Sequence, residues 1–272
     1  MEKRFEKRFA ALAAKHEGGF VPFVTLCDPD FETSIKILHC LRENGADALE
    51  LGFPFSDPCA DGPVIQHADK RALKSGARTK DFFACIRAVR DADPEIPMSI
   101  LVYANVVYAH GIDNFFKMAA DSGLDAVLVP DVPSGMLTTK SGDFAKAAAD
   151  HGIDTVLIAP PNADDATLQQ IAKITTGYTY VLSRFGITGT ETAFGKPVKV
   201  IKRLKELKAP VPILGFGIST PEHVKQALET GAVGAIAGSG CVKIIEKHLG
   251  DVPALLKELG AYVSAMKAAT RG

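Results

Sequence analysis

Short apolar, β-branched runs alternate with stretches of helical spacing along the whole chain. The runs are Phe20–Leu26, Ala48–Leu51, Met98–Tyr103, Ala126–Val129, Thr155–Ile158, Tyr178–Leu182, Val211–Gly215 and Gly234–Ala237. They are continuous rather than alternating, the pattern of parallel strands covered on both faces. Between them apolar residues recur at helical intervals, as in Ile35, Leu38 and Leu41, or Val200, Leu204 and Leu207. Eight strands alternating with helices across 272 residues predict an α/β fold, a (β/α)8 barrel of the TIM type. A doubly wound open sheet is the competing arrangement. Its dinucleotide-binding form would carry G-x-G-x-x-G after the first strand, where this chain has Cys27-Asp28-Pro29.

Two departures from a plain alternation are visible. The segment Glu2–Lys15 predicts an extra N-terminal helix with Phe5, Phe9 and Leu12 on one face, placed to close the bottom of the barrel. The second and third strands begin about 50 residues apart, which leaves room for a long loop and an additional helix. With no linker or low-complexity tract in view, residues 1–272 are expected to form a single domain.

Composition narrows the function. At 47% hydrophobic residues the chain is not of the disordered class, and no apolar run nears the roughly 20 residues of a membrane span. Lys and Arg total 31 against 32 Asp and Glu, so there is no broad basic field for nucleic acid. The N-terminus is charged and lacks a signal-peptide core. Five cysteines at 27, 40, 59, 85 and 241 form no C-x-x-C pair, which suggests reduced thiols and a cytoplasmic location. Cys27 and Cys59 lie in loops after strands, a position that permits reaction, though nothing in the sequence points to it. The seven histidines show no metal-ligand spacing.

In a barrel of this kind chemistry is carried at the C-terminal ends of the strands. Glu50 interrupts an otherwise apolar strand, and alternation places Leu49 and Leu51 on the opposite face, so Glu50 points into the barrel. A desolvated carboxyl has its pKa raised and suits proton transfer near neutral pH; the alternative is a core ion pair with Arg or Lys. Asp61 lies in the Pro-, Gly- and Asp-rich loop that follows, and is either a turn cap or a second carboxylate over the barrel mouth. The glycine turns at Gly215-Phe216-Gly217 and Gly238-Ser239-Gly240 allow backbone amides and a helix N-terminus to meet a phosphate. Ser219 reads as the cap of the helix beginning near Pro221. The glycine-bearing stretch Ser183–Lys196 is either a lid, with Arg184 near the mouth, or a merely exposed loop. Tyr103 and Tyr180 stand near strand ends, where they would wall a pocket or simply pack.

Taken together, several motifs resemble the tryptophan synthase alpha chain family over essentially the whole length. They are the Phe20–Thr25 run, Leu49–Pro63 with P-F-S-D-P and A-D-G-P, Pro160–Asp165, Tyr178–Arg184, Gly215–Ser219 and Val242–Lys247. The resemblance implies retro-aldol cleavage of indole-3-glycerol phosphate to indole and glyceraldehyde 3-phosphate. It implies no cofactor or metal in this chain, and transfer of indole to a pyridoxal-phosphate-dependent beta chain in an α2β2 complex. By the same resemblance Glu50 is the general acid/base, Asp61 the partner of the indole nitrogen, and Tyr180 a tyrosine beside Glu50. Phe23, Leu101 and Leu128 wall the indole pocket; Gly189, Gly217, Gly238 and Ser239 hold phosphate through the backbone; Thr188 meets Asp61 on lid closure. Pro54, Asp57, Asn105 and Pro133 face the beta chain. Cys27, Cys59, Phe185 and the run Ser134–Leu137 depart from the family pattern without removing a catalytic group. Another phosphate-binding barrel enzyme, a stand-alone lyase, and a non-catalytic activator of a beta chain are the competing readings.

Overall fold

The structure is a computed structural model and describes residues 3–137, 143–183 and 195–271. Helix α1 (Arg4–Ala14) precedes β1 (Gly19–Thr25), α2 (Phe31–Glu43) and β2 (Leu49–Gly52). Two helices, α3 (Pro63–Lys74) and α4 (Thr79–Ala92), fill the long interval before β3 (Met98–Leu101), and two more, α5 (Ala104–His110) and α6 (Ile112–Ser122), lead to β4 (Ala126–Leu128). A 3₁₀ turn at Ser134–Met136 and α7 (Phe144–Asp150) precede β5 (Asp154–Ala159), α8 (Asp165–Ile174) and β6 (Thr179–Leu182). The chain continues through α9 (Gly195–Glu206), β7 (Pro212–Gly215), α10 (Pro221–Glu229), β8 (Gly234–Ala237), α11 (Ser239–Lys247) and α12 (Val252–Ala268).

The strands pair in chain order, in parallel, and β8 returns to β1 to close an eight-stranded barrel. All eight predicted strands are present, with ends within two residues of those read from the pattern. Side-chain alternation sorts them as the pleat requires. Leu49 and Leu51 of β2 join the outer core between sheet and helices. Val21, Phe23, Ala126, Leu128, Val156, Tyr180, Ile213 and Ile236 fill the barrel itself.

Phe5, Phe9 and Leu12 of α1 belong to that interior cluster, so the extra helix is the plug that its apolar face suggested. Glycines at the strand starts make room for it: a Cβ on Gly19 would stand 2.5 Å from the Phe9 ring, and one on Gly234 3.1 Å from the same ring. The Phe5 ring meets Tyr178 with centroids 5.0 Å apart, which ties the plug to the residue just before β6. A buried ion cluster holds the plug's outer end. Asp125 takes Arg4 on one carboxylate oxygen and Arg90 on the other, both at 2.8 Å, and also accepts the Met98 amide at 2.8 Å.

Removing one member of a buried ion cluster strands the other charges, at a typical cost of about 3 kcal/mol or more. Asp125→Ala should therefore lower the urea midpoint by an amount corresponding to about 3 kcal/mol. A midpoint equal to the parent's would mean that apolar contact alone seats the plug.

Candidate active site

Glu50 sits on β2 with Cα partners Phe23 on β1 and Ser99 on β3. Its side chain enters the barrel and the residue is 2% exposed. The core ion pair that sequence left open is absent among the described residues. The partner is a phenol: the Tyr178 hydroxyl donates to Glu50 Oε1 at 2.8 Å, and Ser99 Oγ lies 3.1 Å from the same hydroxyl. Burial pushes the Glu50 carboxyl up to about 7; the Tyr178 bond acts in the opposite direction, and the nearby charge of Asp61 adds to the rise. Near neutral pH such a group both gives and takes a proton.

Tyr180 also faces the interior, yet its hydroxyl lies over β7, where a Cβ on Gly215 would fall 2.3 Å from it. The direct contact to Glu50 is made by Tyr178, two residues earlier on the same face of the chain. Sequence reasoning missed Tyr178 and Ser99. Tyr178 shares its parity with Tyr180 two residues on, and Ser99 faces Glu50 across the β2–β3 pair, but several partners on the inward face were equally compatible with the pattern.

Asp61 closes a turn through its backbone, its amide bonding the Pro58 carbonyl at 3.1 Å, but its side chain is not spent on capping that turn. Gly62 occupies the N-cap position of α3 without a side-chain bond, and Pro63 follows at the first helical position. The carboxylate of Asp61 instead accepts the Tyr103 hydroxyl at 2.7 Å, and the Tyr103 oxygen accepts the Ala60 amide at 3.0 Å. Gln66 fastens the Asp61 carbonyl at 2.8 Å. Tyr103 is stacked on Phe55, with centroids 5.3 Å apart, so the loop is anchored from the segment between β3 and α5. Burial raises the Asp61 pKa and the Tyr103 bond lowers it. Tyr103 thus acts on a carboxylate, a role beyond the two that its position allowed.

Phe23, Leu128 and Tyr180 are buried in the barrel interior, and the half-buried Leu101 packs on them. The Phe23 ring lies between the ends of β2 and β8: a Cβ on Gly52 would come within 2.6 Å of it, and one on Gly238 within 3.2 Å. Gly238 therefore has a packing reason to be glycine as well as a place beside the mouth. After β7, Phe216 and Gly217 both adopt positive φ, 73° and 80°, and Ser183 Oγ donates to the Phe216 carbonyl. Helix α11 starts at Ser239, and its ladder begins with the Val242 amide bonding the Gly238 carbonyl at 3.1 Å. The amides of Ser239 and Gly240 thus precede the first helical bond, as anion-binding helix starts require.

Some expectations change. Thr220, not Ser219, caps α10, accepting the His223 amide at 3.3 Å; Pro221 at the first helical position leaves the residue directly before it as cap. Cys27 is not an accessible thiol: it is buried, its sulfur 3.7 Å from that of Cys85, and its pKa is raised far above the ordinary range by that contact and by burial. Cys59 is exposed. Asp57, Asn105 and Pro133 present surface, whereas Pro54 is buried behind the loop. Thr188, Gly189, Arg184 and Phe185, with the rest of the expected lid, lie outside the described residues. Among the described residues no three metal-ligating side chains converge, and no helix is long and apolar enough to cross a membrane.

The family model described as tryptophan synthase alpha chain matches residues 9–271. The tryptophan synthase alpha chain of Vibrio parahaemolyticus is 52% identical over 269 residues, covering 98% of this chain and 99% of that one. The alpha chain of Francisella tularensis is 49% identical over 271 residues, 99% of each. The crystal structure of tryptophan synthase subunit alpha from Legionella pneumophila superposes with a TM-score of 0.88 at 28% identity, covering 99% of both chains. A matching model over nearly the whole length, together with relatives at about half identity, places the chain in the tryptophan synthase alpha chain family.

Proposed function

We propose that this chain, as a single barrel domain, cleaves indole-3-glycerol phosphate to indole and glyceraldehyde 3-phosphate by a retro-aldol route. The observation that carries the reading is the setting of Glu50: a buried carboxyl at the barrel rim, bonded to a neutral phenol and influenced by a second carboxyl. Breaking the bond between indole C3 and the glycerol carbon requires a proton at C3, so that the ring can leave. Glu50 in its acid form supplies that proton. Positive charge then develops on the ring nitrogen, and ionised Asp61 stabilises it. As the bond breaks, the hydroxyl on the glycerol carbon becomes the aldehyde, and its proton passes to the Glu50 carboxylate, which regenerates the acid. Proton count and charge therefore balance over the cycle with one carboxyl.

Phe23, Leu101, Leu128 and Tyr180 form an apolar wall for the ring. The turns at Gly217, Gly238 and Ser239 hold the phosphate through backbone amides; by family resemblance Gly189 shares that role and Thr188 acts with Asp61. Remote binding of the phosphate orients the scissile bond over Glu50. The chain needs no cofactor of its own in this scheme. Indole passes to a pyridoxal-phosphate-dependent beta chain, with Asp57, Asn105 and Pro133 on the facing surface and an α2β2 assembly in the cytoplasm. Pro54 supports that surface from beneath.

Glu50→Gln keeps the shape and loses the proton, so indole release should fall by about 10²-fold or more while a non-cleavable indole phosphate analogue still binds. Full turnover in that variant would remove Glu50 from the chemistry. Tyr178→Phe removes a donor that favours the ionised form of Glu50. The Glu50 pKa then rises, and the alkaline limb of kcat/KM should move to higher pH; an unmoved limb would mean that the phenol does not tune the acid.

A further inference from the structure

A serine hydroxyl lies inside the barrel on a strand that is otherwise apolar. β3 runs Met98-Ser99-Ile100-Leu101. Met98 and Ile100 belong to the outer core and Leu101 packs on the interior cluster, so the pleat turns Ser99 inward. Its Cα partners are Glu50 on β2 and Ala126 on β4, and the residue is fully buried. A hydroxyl withdrawn from water costs stability unless it is bonded. Its partner is Tyr178, with the two oxygens 3.1 Å apart. Tyr178 is fully buried too, its ring packed on Phe5 of the plug.

A phenol has one hydrogen to donate. That of Tyr178 is directed to Glu50 Oε1 at 2.8 Å. The hydrogen between Ser99 and Tyr178 is therefore the serine's, and the bonds run one way, from Ser99 to Tyr178 to Glu50. Such a chain is stronger when it ends on a charge than on a neutral group, because each donor polarises the next. We propose that Ser99 is a positioning residue that aims the Tyr178 hydroxyl at Glu50 and, through it, steadies the Glu50 carboxylate. The serine occupies a lone pair of the phenol oxygen, which leaves the phenol hydrogen facing the acid. Other neighbours do not duplicate this role. Among the described residues, Asp61 from the loop after β2 raises the Glu50 pKa, and no cation acts on it. Phe23 on β1 and Phe5 on α1 are apolar, and Tyr180 on β6 is a phenol held neutral by burial. The link stands on the two bonds; its consequence for turnover rests on Glu50 being the acid of the cleavage proposed above.

Ser99→Ala removes the donor and little volume. In the full-length protein the midpoint of the Glu50 side-chain carboxyl, followed by NMR, should rise by roughly 0.5 pH unit, less than in Tyr178→Phe. Ser99→Cys fills the same space with a weak donor and should shift the midpoint in the same direction. Ser99→Ala in a Tyr178→Phe background should add nothing, since the link that it breaks is already gone. A midpoint that stays or falls in Ser99→Ala overturns the proposal. A parent-like midpoint in Ser99→Cys does so as well, because lost packing would then explain the alanine variant. An equal rise in the Tyr178→Phe background also overturns it, since Ser99 would then act on Glu50 directly from the adjoining strand. The alkaline limb of kcat/KM for indole release should move with the midpoint. A limb that stays while the midpoint moves leaves the link standing and counts against Glu50 as the acid.

Discussion

Keeping one carboxyl out of water inside an apolar barrel is the constraint around which the site is organised. Displacing Glu50 from its ordinary 4.5 to about 7 corresponds to roughly 3 kcal/mol of disfavoured charge. The fold sustains that cost because the surroundings are built independently of it. A closed strand ladder, a plug of Phe5, Phe9 and Leu12, and an outer helical layer supply the enclosure. Tyr178 links the two, since its ring packs on Phe5 and its hydroxyl bonds Glu50. The plug therefore stands one residue away from the acid, although it closes the opposite end of the barrel.

The second carboxyl lies in the loop that follows β2 and has a phenol donor of its own. Asp61 is held by Tyr103 from the segment after β3; burial raises its pKa and the Tyr103 bond works against that rise. Burial raises the pKa of both carboxyls, and each has a phenol donor that works against the rise, Tyr178 for Glu50 and Tyr103 for Asp61. The loop that carries Asp61 is shaped for this: Gly62 and Pro63 start α3 without drawing on the aspartate, which leaves its side chain free to reach Tyr103.

The barrel was legible because its strands are covered on both faces, so each appears as an uninterrupted apolar run. The plug was legible from three apolar residues at helical spacing. Glu50 stood out as a lone charge within such a run, and the pleat alone placed it inside. Its partner was not legible, because contacts across β2, β3 and β6 depend on barrel register that local pattern does not encode. The same limit hid the Tyr103–Asp61 bond, whose residues are 42 apart in sequence. Ser219 was misread as a cap because Glu222 completes a capping box with it on paper, while Pro221 shifts the helix start by one residue. Family resemblance brought in Phe23, Leu101, Leu128 and the phosphate positions, which composition and periodicity alone did not single out.

The central claim is that Glu50 titrates near neutrality inside the folded chain. The direct test is an NMR titration of its side-chain carboxyl carbon in the full-length protein, assigned by comparison with Glu50→Gln. A midpoint of about 7 is the predicted result. A midpoint near 4.5, the value of a solvated glutamate, would contradict the account.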